Sequence, residues 1–320
     1  MNLDLQIKPY ENWMKEDVIE MFNLQYEYSD NEFADIFEKF YDHGFQKDKC
    51  IRIVALDNKK VVGFQSFFYW PYKYNSKVYN SYQSGNSIVH ENYRGKGIFG
   101  KILRYTDENK NNLGVDFLIG FPVEESYNSF IKKGWINPFN LTWQVKTLSP
   151  LSIISSFNKT KLEKQLNNKA LHFTCDNSYV CLENSEEFQI YRSKYSKGIY
   201  LNHLYMNNEE QVHFSLKVNI RKSVIKELII GNVYFTNFSD DLITLAFNDL
   251  IKNVKKSKQI TLISFAYPNN CQIYNQALKN NGFQFHDKSI YFICDDIPPE
   301  IKAEIYKGAF LAYRGDIDTW

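Results

Sequence analysis

The sequence predicts an α/β fold (α+β in the wider sense) made of two successive, similar units. Three observations carry that prediction. Segments of helical period alternate with short apolar or alternating segments along most of the 320 residues. A pattern of strand, aromatic–Pro, polar turn, helix, Lys, Gly and aromatic occurs twice. It reads "FLIGFPVEESYNSFIKKGW" at 117–135 and "ISFAYPNNCQIYNQALKNNGF" at 263–283, with Pro and Gly twelve and fourteen residues apart. Finally, 44% hydrophobic and 17% aromatic residues supply a large core, which excludes a disordered chain.

The elements follow in order. Residues 11–44 have helical periodicity, with Val18, Met21, Phe22, Phe33, Phe37 and Phe40 facing inward. "CIRIVALDNKKVVGFQSFFYW" reads as a hairpin around Asp57–Lys60. A polar stretch then leads to a short strand, Ser87–His90, a glycine-rich turn and a helix from Gly97 to Asn111. "VDFLIGF" (115–121) is a buried strand, and Ser126–Lys133 is a helix closed by Gly134. "LTWQVKTL" (141–148) is a strand. Pro150 and the polar stretch 157–169 mark a boundary, giving units 1–148 and 149–320. The second unit repeats the order with strands in "HFSLKVNI", "KELIIGNVYF", "QITLISFAYP" and "KSIYFIC", and helices in "EEFQIYRSKYS", "DLITLAFNDLIKNVKKS" and "QIYNQALKNNGF".

Charge and cysteines narrow the function. The net charge is +1 and the basic residues are dispersed, so no face suits a nucleic acid. Five cysteines, an odd number with no CxxC pair, suit free thiols in a reducing compartment. The six His do not cluster with them at ligand spacing, so no metal is expected. There is no secretory leader pattern and no apolar run of membrane-spanning length. The expectation is a cytosolic (cytoplasmic) protein, monomer or homodimer, with no membrane partner.

The chemistry-bearing stretch is "NSIVHENYRGKGIFGKILRYTDE", Asn86 to Glu108. An apolar strand ends at His90. Arg94, Gly95, Lys96, Gly97 and Gly100 follow within seven positions, and a helix begins. A helix mouth carries four unpartnered N–H groups and partial positive charge. Small residues let an anion approach that backbone, and Arg94 and Lys96 add formal charge. The pattern points to a phosphate cradle. It is not a Walker A loop, and the acidic partner of a dinucleotide fingerprint is missing from "IGFPVEES".

"VHENYRGKGIFGKIL" resembles the acyl-CoA-binding motif of the GNAT superfamily of N-acetyltransferases, Arg/Gln-x-x-Gly-x-Gly/Ala after a strand. Arg94 and Gly97 match, whereas Phe99 stands at the Gly/Ala position. "FLIGFPVEESYNSFIKKGW" is similar to the family's second motif, with Ser126 at the small position and Gly134-Trp135 at its end. The resemblance spans about residues 5–146. It implies three-layer α/β/α units, each a mixed, mostly antiparallel sheet, with the second unit lacking the glycine device.

The resemblance further implies acetyl-CoA, or another acyl-CoA, as donor and the amine of a small molecule such as an amino sugar as acceptor. Ile88, Val89 and His90 would hold the pantetheine arm, with Ser126 beside it. Arg94, Gly95, Lys96, Gly97, Ile98, Phe99 and Gly100 would hold the pyrophosphate. Phe130 stands where the family has its acid Tyr, and Val123 where it has Asn. Tyr127, one helical turn away, is the substitute acid, and His90 is a candidate base. Glu124 and Glu125 are also placed as bases, and their helix start explains them equally. Two other readings stand beside this one: a non-catalytic CoA or metabolite binder, and a protein or peptide N-acetyltransferase. Trp70 and Tyr72 are read as core or groove, Arg192 as a solvated face or anion contact, and "GDIDTW" (315–320) as a tail or part of the acceptor side.

Overall fold

The computed structural model describes residues 5–28, 32–42, 44–154, 156–167, 175–195 and 198–318. The first half contains β1 (Leu5–Pro9), α1 (Lys15–Tyr26), α2 (Glu32–Phe37), β2 (Ile51–Asp57), β3 (Lys60–Tyr69), β4 (Tyr72–Tyr74) and β5 (Lys77–Tyr79). It continues with β6 (Ser81–Val89), α3 (Ile98–Glu108), α4 (Lys110–Leu113), β7 (Phe117–Gly120), α5 (Glu124–Ile131) and β8 (Ile136–Thr147). The second half contains α6 (Lys159–Glu163), β9 (Val180–Leu182), α7 (Glu186–Tyr195), β10 (Ile199–Asn207), β11 (Glu210–Arg221) and β12 (Ile225–Phe235). It ends with α8 (Asp240–Ser257), β13 (Leu262–Pro268), α9 (Asn275–Asn280), β14 (Gln284–Asp295), α10 (Pro299–Lys307) and β15 (Phe310–Leu311).

Local chemistry explains the main elements. The β2–β3 hairpin turns at Asn58 and Lys59, both with positive φ, as a two-residue turn of matching twist requires. Ile98, Ile102, Leu103 and Thr106 give α3 one buried stripe, and Leu242, Ala246, Phe247, Leu250 and Val254 do the same for α8. Val18, Met21, Phe22, Phe33 and Phe37 are buried as the periodicity predicts, and Phe40 packs against the same core. β6 is longer than the short strand expected: it starts at Ser81 and stops at Val89, leaving His90 in a turn. β10 and α10 went unread in the sequence.

The two halves share one sheet of 11 strands, ordered β1-β2-β3-β6-β7-β14-β8-β13-β12-β11-β10. Leaving out β1, the order reads the same from both ends. β2, β3, β6, β7 and β8 then correspond to β10, β11, β12, β13 and β14. The parallel pairs β6–β7 and β12–β13 correspond too. The last strand of each half is exchanged. β14 lies antiparallel to β7, with Ile293 opposite Gly120, and β8 lies antiparallel to β13, with Leu141 opposite Pro268. The exchange leaves β7 and β13 each paired on both sides. The expected boundary at 148/149 therefore divides the sequence and not the sheet. A second sheet, β15-β9-β4-β5, again joins strands from both halves.

Three cores result. One lies between the sheet and α1–α2, where Phe37, Tyr41, Phe64, Phe68 and Trp70 pack. One lies on the opposite face under α3 and α5, around Ile98, Ile102 and Phe130. The third lies under α8 and α9. The glycine-rich turn sits at the open end of β6, between the first two.

Candidate active site

β6 loses its partner on one side. It pairs with β7 only through Ser81–Gln83, opposite Phe117–Ile119, and the strands then diverge. On the other side its register with β3 shifts between Gln65 and Phe67, leaving Gly85 and Asn86 in a bulge. Residues 84–89 thus present a strand edge that β7 does not cover.

The chain then turns. His90 Nδ1 accepts from Asn92 N at 3.3 Å, and Tyr93 donates to Asp57 Oδ2 at 2.8 Å, pinning the turn to the β2–β3 hairpin. Arg94 donates from Nε to the Val89 carbonyl at 3.2 Å and from Nη2 to Gln25 Oε1 on α1. Gly95 and Gly97 both have φ of 75°, the left-handed region that a side chain makes costly. Gly97 is the N-cap of α3. It brings no side chain to cap the helix, and no acid lies in the first turn. The first intrahelical bond runs from Lys101 N to Gly97 O, so the N–H groups of Ile98, Phe99 and Gly100 have no intrahelical partner.

Two adjoining cavities flank this turn. One of about 540 Å³ lies against Arg94, Gly95, Gly97, Ile98, Phe99 and Gly100, closed by Ser129, Lys132 and Lys133. The other, about 450 Å³, runs between Gln25 and Tyr26 of α1, the Ser87–Val89 edge, and Glu125, Ser126 and Ser129 of α5. The expected donor residues Ile88, Val89, Arg94, Gly95, Gly97, Ile98, Phe99, Gly100 and Ser126 line one or both. Three expected residues do not. Lys96 holds its ammonium 4.6 Å over the Tyr93 ring. His90 caps its own turn. Tyr127 stacks on Tyr291 at 4.2 Å with its hydroxyl 3.5 Å from Asn137 Oδ1.

Lys132 and Lys133 went unread because two lysines ending a helix are favoured there anyway. Lys133 lines the cavity and lies directly over Gly100: a Cβ at position 100 would fall 2.4 Å from its Cε, so a side chain there would push the lysine's end aside. Phe99 and Phe130, the two departures from the family motifs, touch each other edge to face at 5.3 Å, and Phe130 packs on Trp135 at 4.8 Å. A bulky residue at the small position is thus matched by an apolar one at the Tyr position.

The other candidates resolve differently. Trp70 and Tyr72 are fully buried and line neither cavity. Arg192 is neither solvated nor an anion contact: it donates to the carbonyls of Gly315 at 2.8 Å and Ile317 at 3.1 Å and lies over Trp70. Asp316 is buried, and the final two residues of "GDIDTW" lie outside the described residues.

At this site a strand with an uncovered edge runs into a glycine-rich helix mouth flanked by cations. Residues 6–135 match the family model described as the GNAT acetyltransferase domain. A GCN5-related N-acetyltransferase from Anabaena variabilis superposes with a TM-score of 0.63 at 9% identity. That match covers 92% of this chain and 73% of the other. A protein from Enterococcus faecalis, described as of unknown function and a probable N-acyltransferase, gives 0.64 at 11%, covering 94% and 74%. A GCN5-related N-acetyltransferase from Kribbella flavida gives 0.57 at 9%, covering 91% and 71%. At such identity these likenesses concern the fold, and they extend over both halves. No curated protein matches the sequence. Among the described residues no helix is long and apolar enough to cross a membrane.

Proposed function

We propose that this chain is an acyl-CoA-dependent N-acyltransferase that moves an acetyl group to a primary amine of a small molecule, with units 1–148 and 149–320 in donor and supporting roles. The observation that carries the reading is the α3 mouth, where uncapped amides, two left-handed glycines and the cations Arg94, Lys132 and Lys133 face one cavity. Those groups suit the pyrophosphate of CoA. The Ser84–Val89 edge suits the amide-bearing pantetheine arm, which would pair with it as a strand does. Cavities of about 450 and 540 Å³ suit small ligands.

In this reading the amine attacks the thioester carbon directly, and thiolate leaves. Holding donor and amine in register supplies the main acceleration, about 7–11 kcal/mol in ideal cases. An alkyl amine arrives mostly as ammonium and must first lose a proton. Neither His90 nor Tyr127 lines either of these two cavities, so the reading gives the leaving thiolate no protein acid. A second reading, a CoA-binding protein without turnover, draws support from the buried Phe130 at the usual Tyr position.

Calorimetry with CoA and acetyl-CoA, followed by thiol release over a panel of primary amines (glucosamine, spermidine, tyramine and lysine amide), separates the readings. Binding with amine-dependent release is expected. Binding without release would favour the non-catalytic protein, and absence of binding would sink both. If Tyr127→Phe lowered turnover tenfold or more, Tyr127 would return to the mechanism as the acid.

A further inference from the structure

We propose that Asn86 is a positioning residue for the incoming amine, with its side-chain oxygen accepting an N–H of the nucleophile beside the thioester. The proposal rests on the acyl-transfer reading above and adds the acceptor-side contact that the reading lacks.

Asn86 sits in the bulge of β6, where neither neighbouring strand pairs with it. It lies two residues before Ile88 and so faces the same side of the sheet, one pleat along. Ile88 already lines the cavity beneath α1. Asn86 does not itself line that cavity but adjoins Ser87, which does, and it is only half-buried.

A ring of hydrogen bonds fixes which way the amide points. Asn86 Nδ2 donates to the Tyr41 hydroxyl at 2.8 Å, and that hydroxyl donates to Ser66 Oγ at 2.9 Å. Ser66 Oγ in turn donates to the Asn86 backbone carbonyl at 3.5 Å. Tyr41 is fully buried on the short π-helical turn Glu38–Asp42, and Ser66 is fully buried on β3. With the NH₂ committed to Tyr41, Oδ1 must point the other way, and among the described residues no donor reaches it. The bulge also needs Gly85, whose Cβ would fall 2.3 Å from the Phe68 ring. The chain thus holds one acceptor oxygen, in a fixed orientation, next to the only uncovered part of the strand edge that would hold the thioester. A neutral amide oxygen there orients an amine without abstracting its proton.

The test uses the full chain, acetyl-CoA, and the best amine of the panel named above. Asn86→Ala should lower kcat/KM for the amine at least thirtyfold while the Kd for CoA stays within twofold. Tyr41→Phe, which frees the amide to rotate, should lower kcat/KM three- to tenfold with the same CoA affinity. Asn86→Asp keeps an oxygen at the site and should recover most of the lost rate above the carboxyl's own titration, with a new acid limb in the pH profile. A purely structural role would move CoA affinity and melting temperature along with the rate in all three variants. That result, or an Asn86→Ala kcat/KM within threefold of the parent, would overturn the proposal. CoA binding without thiol release by the parent on any amine would instead overturn the acyl-transfer reading on which it depends.

Discussion

The mouths of α3 and α8 occupy corresponding places in the two halves, yet one is open and the other is filled. α3 starts at Gly97 with no side-chain cap and no acid in its first turn. α8 starts at Ser239, whose Oγ accepts from Leu242 N at 3.1 Å, with Asp240 and Asp241 in its first turn. Just before it, Asp176 accepts from Phe238 N at 3.3 Å, so a carboxylate of the chain itself already sits at the second mouth. An anion approaching there meets spent donors and like charge. A helix start becomes an anion site only where the chain leaves its donors unused.

The clefts differ in the same way. β12 and β13 pair through Glu227–Ile230 and Leu262–Phe265 and then diverge, as β6 and β7 do. Beyond the last pair the second cleft holds the segment 313–316. Gly315 lies so close to β12 that a Cβ there would fall 1.9 Å from Asn232 Oδ1. The Tyr313 ring stacks 6.0 Å from Phe265 of β13, and its hydroxyl lies 2.5 Å from that of Tyr274. Where the first half leaves a groove, the second half has inserted its own chain.

The comparison breaks first at Gly97. Nothing lies within 4 Å of a Cβ built there, so Gly97→Asp puts a carboxylate into open space at the cradle. CoA affinity should fall at least about a hundredfold, at a stability cost of about 1–2 kcal/mol for a left-handed Asp. Calorimetry should give one CoA per parent chain and none for this variant. A second site that survives Gly97→Asp would show that the α8 cleft also binds.

The next effect is on stability. Gly315→Val forces a side chain against β12 and should destabilise by about 3 kcal/mol, read by urea denaturation, without changing CoA affinity per folded molecule. A cost under about 0.5 kcal/mol would mean the insert is loosely held. Smaller again is Lys133→Ala, which should weaken CoA about tenfold (~1.4 kcal/mol) and flatten the salt dependence of binding. Unchanged affinity would return Lys133 to a surface role.

A separate effect is a pH dependence. Burial pushes the Asp316 carboxyl up from its ordinary 3.8 to about 7, against hydrogen bonds from Tyr313 N and Asn232 and the nearby Arg192 charge. The fold therefore holds a proton that the unfolded chain has released. Stability from this group is fullest below about pH 4 and is lost as pH rises toward 7. Asp316→Asn lacks that slope, so the difference in Tm between parent and variant should change across pH 4–7 and level off above. A constant difference would mean that the carboxylate is ionised in the folded cleft.

How much of this could be read in the sequence varies by element. The shape of the α3 mouth was legible because glycines and cations crowd a strand-to-helix junction, and backbone conformation at Gly95 and Gly97 is a local matter. The hairpin at Asn58–Lys59 and the buried stripes of α3 and α8 were legible for the same reason. Lys133 was not, because its place in the groove depends on α5 ending over Gly100. Arg192 looked solvated because its partners, the carbonyls of Gly315 and Ile317, lie more than a hundred residues away. Asn86 looked like part of a polar approach to a strand. Its role in the hydrogen-bond ring appears only once Tyr41 and Ser66 are packed against it.

The sequence by itself determined most of the longer helices and strands, the repeated order of the two halves, and the glycine-rich mouth of α3. Those follow from side-chain period, turn geometry and unsatisfied backbone donors, all local. The tertiary structure alone decided that β8 and β14 change places and that residues 313–316 fill the second cleft. An apolar strand pairs equally well with several edges, and only the summed packing of both halves selects among them.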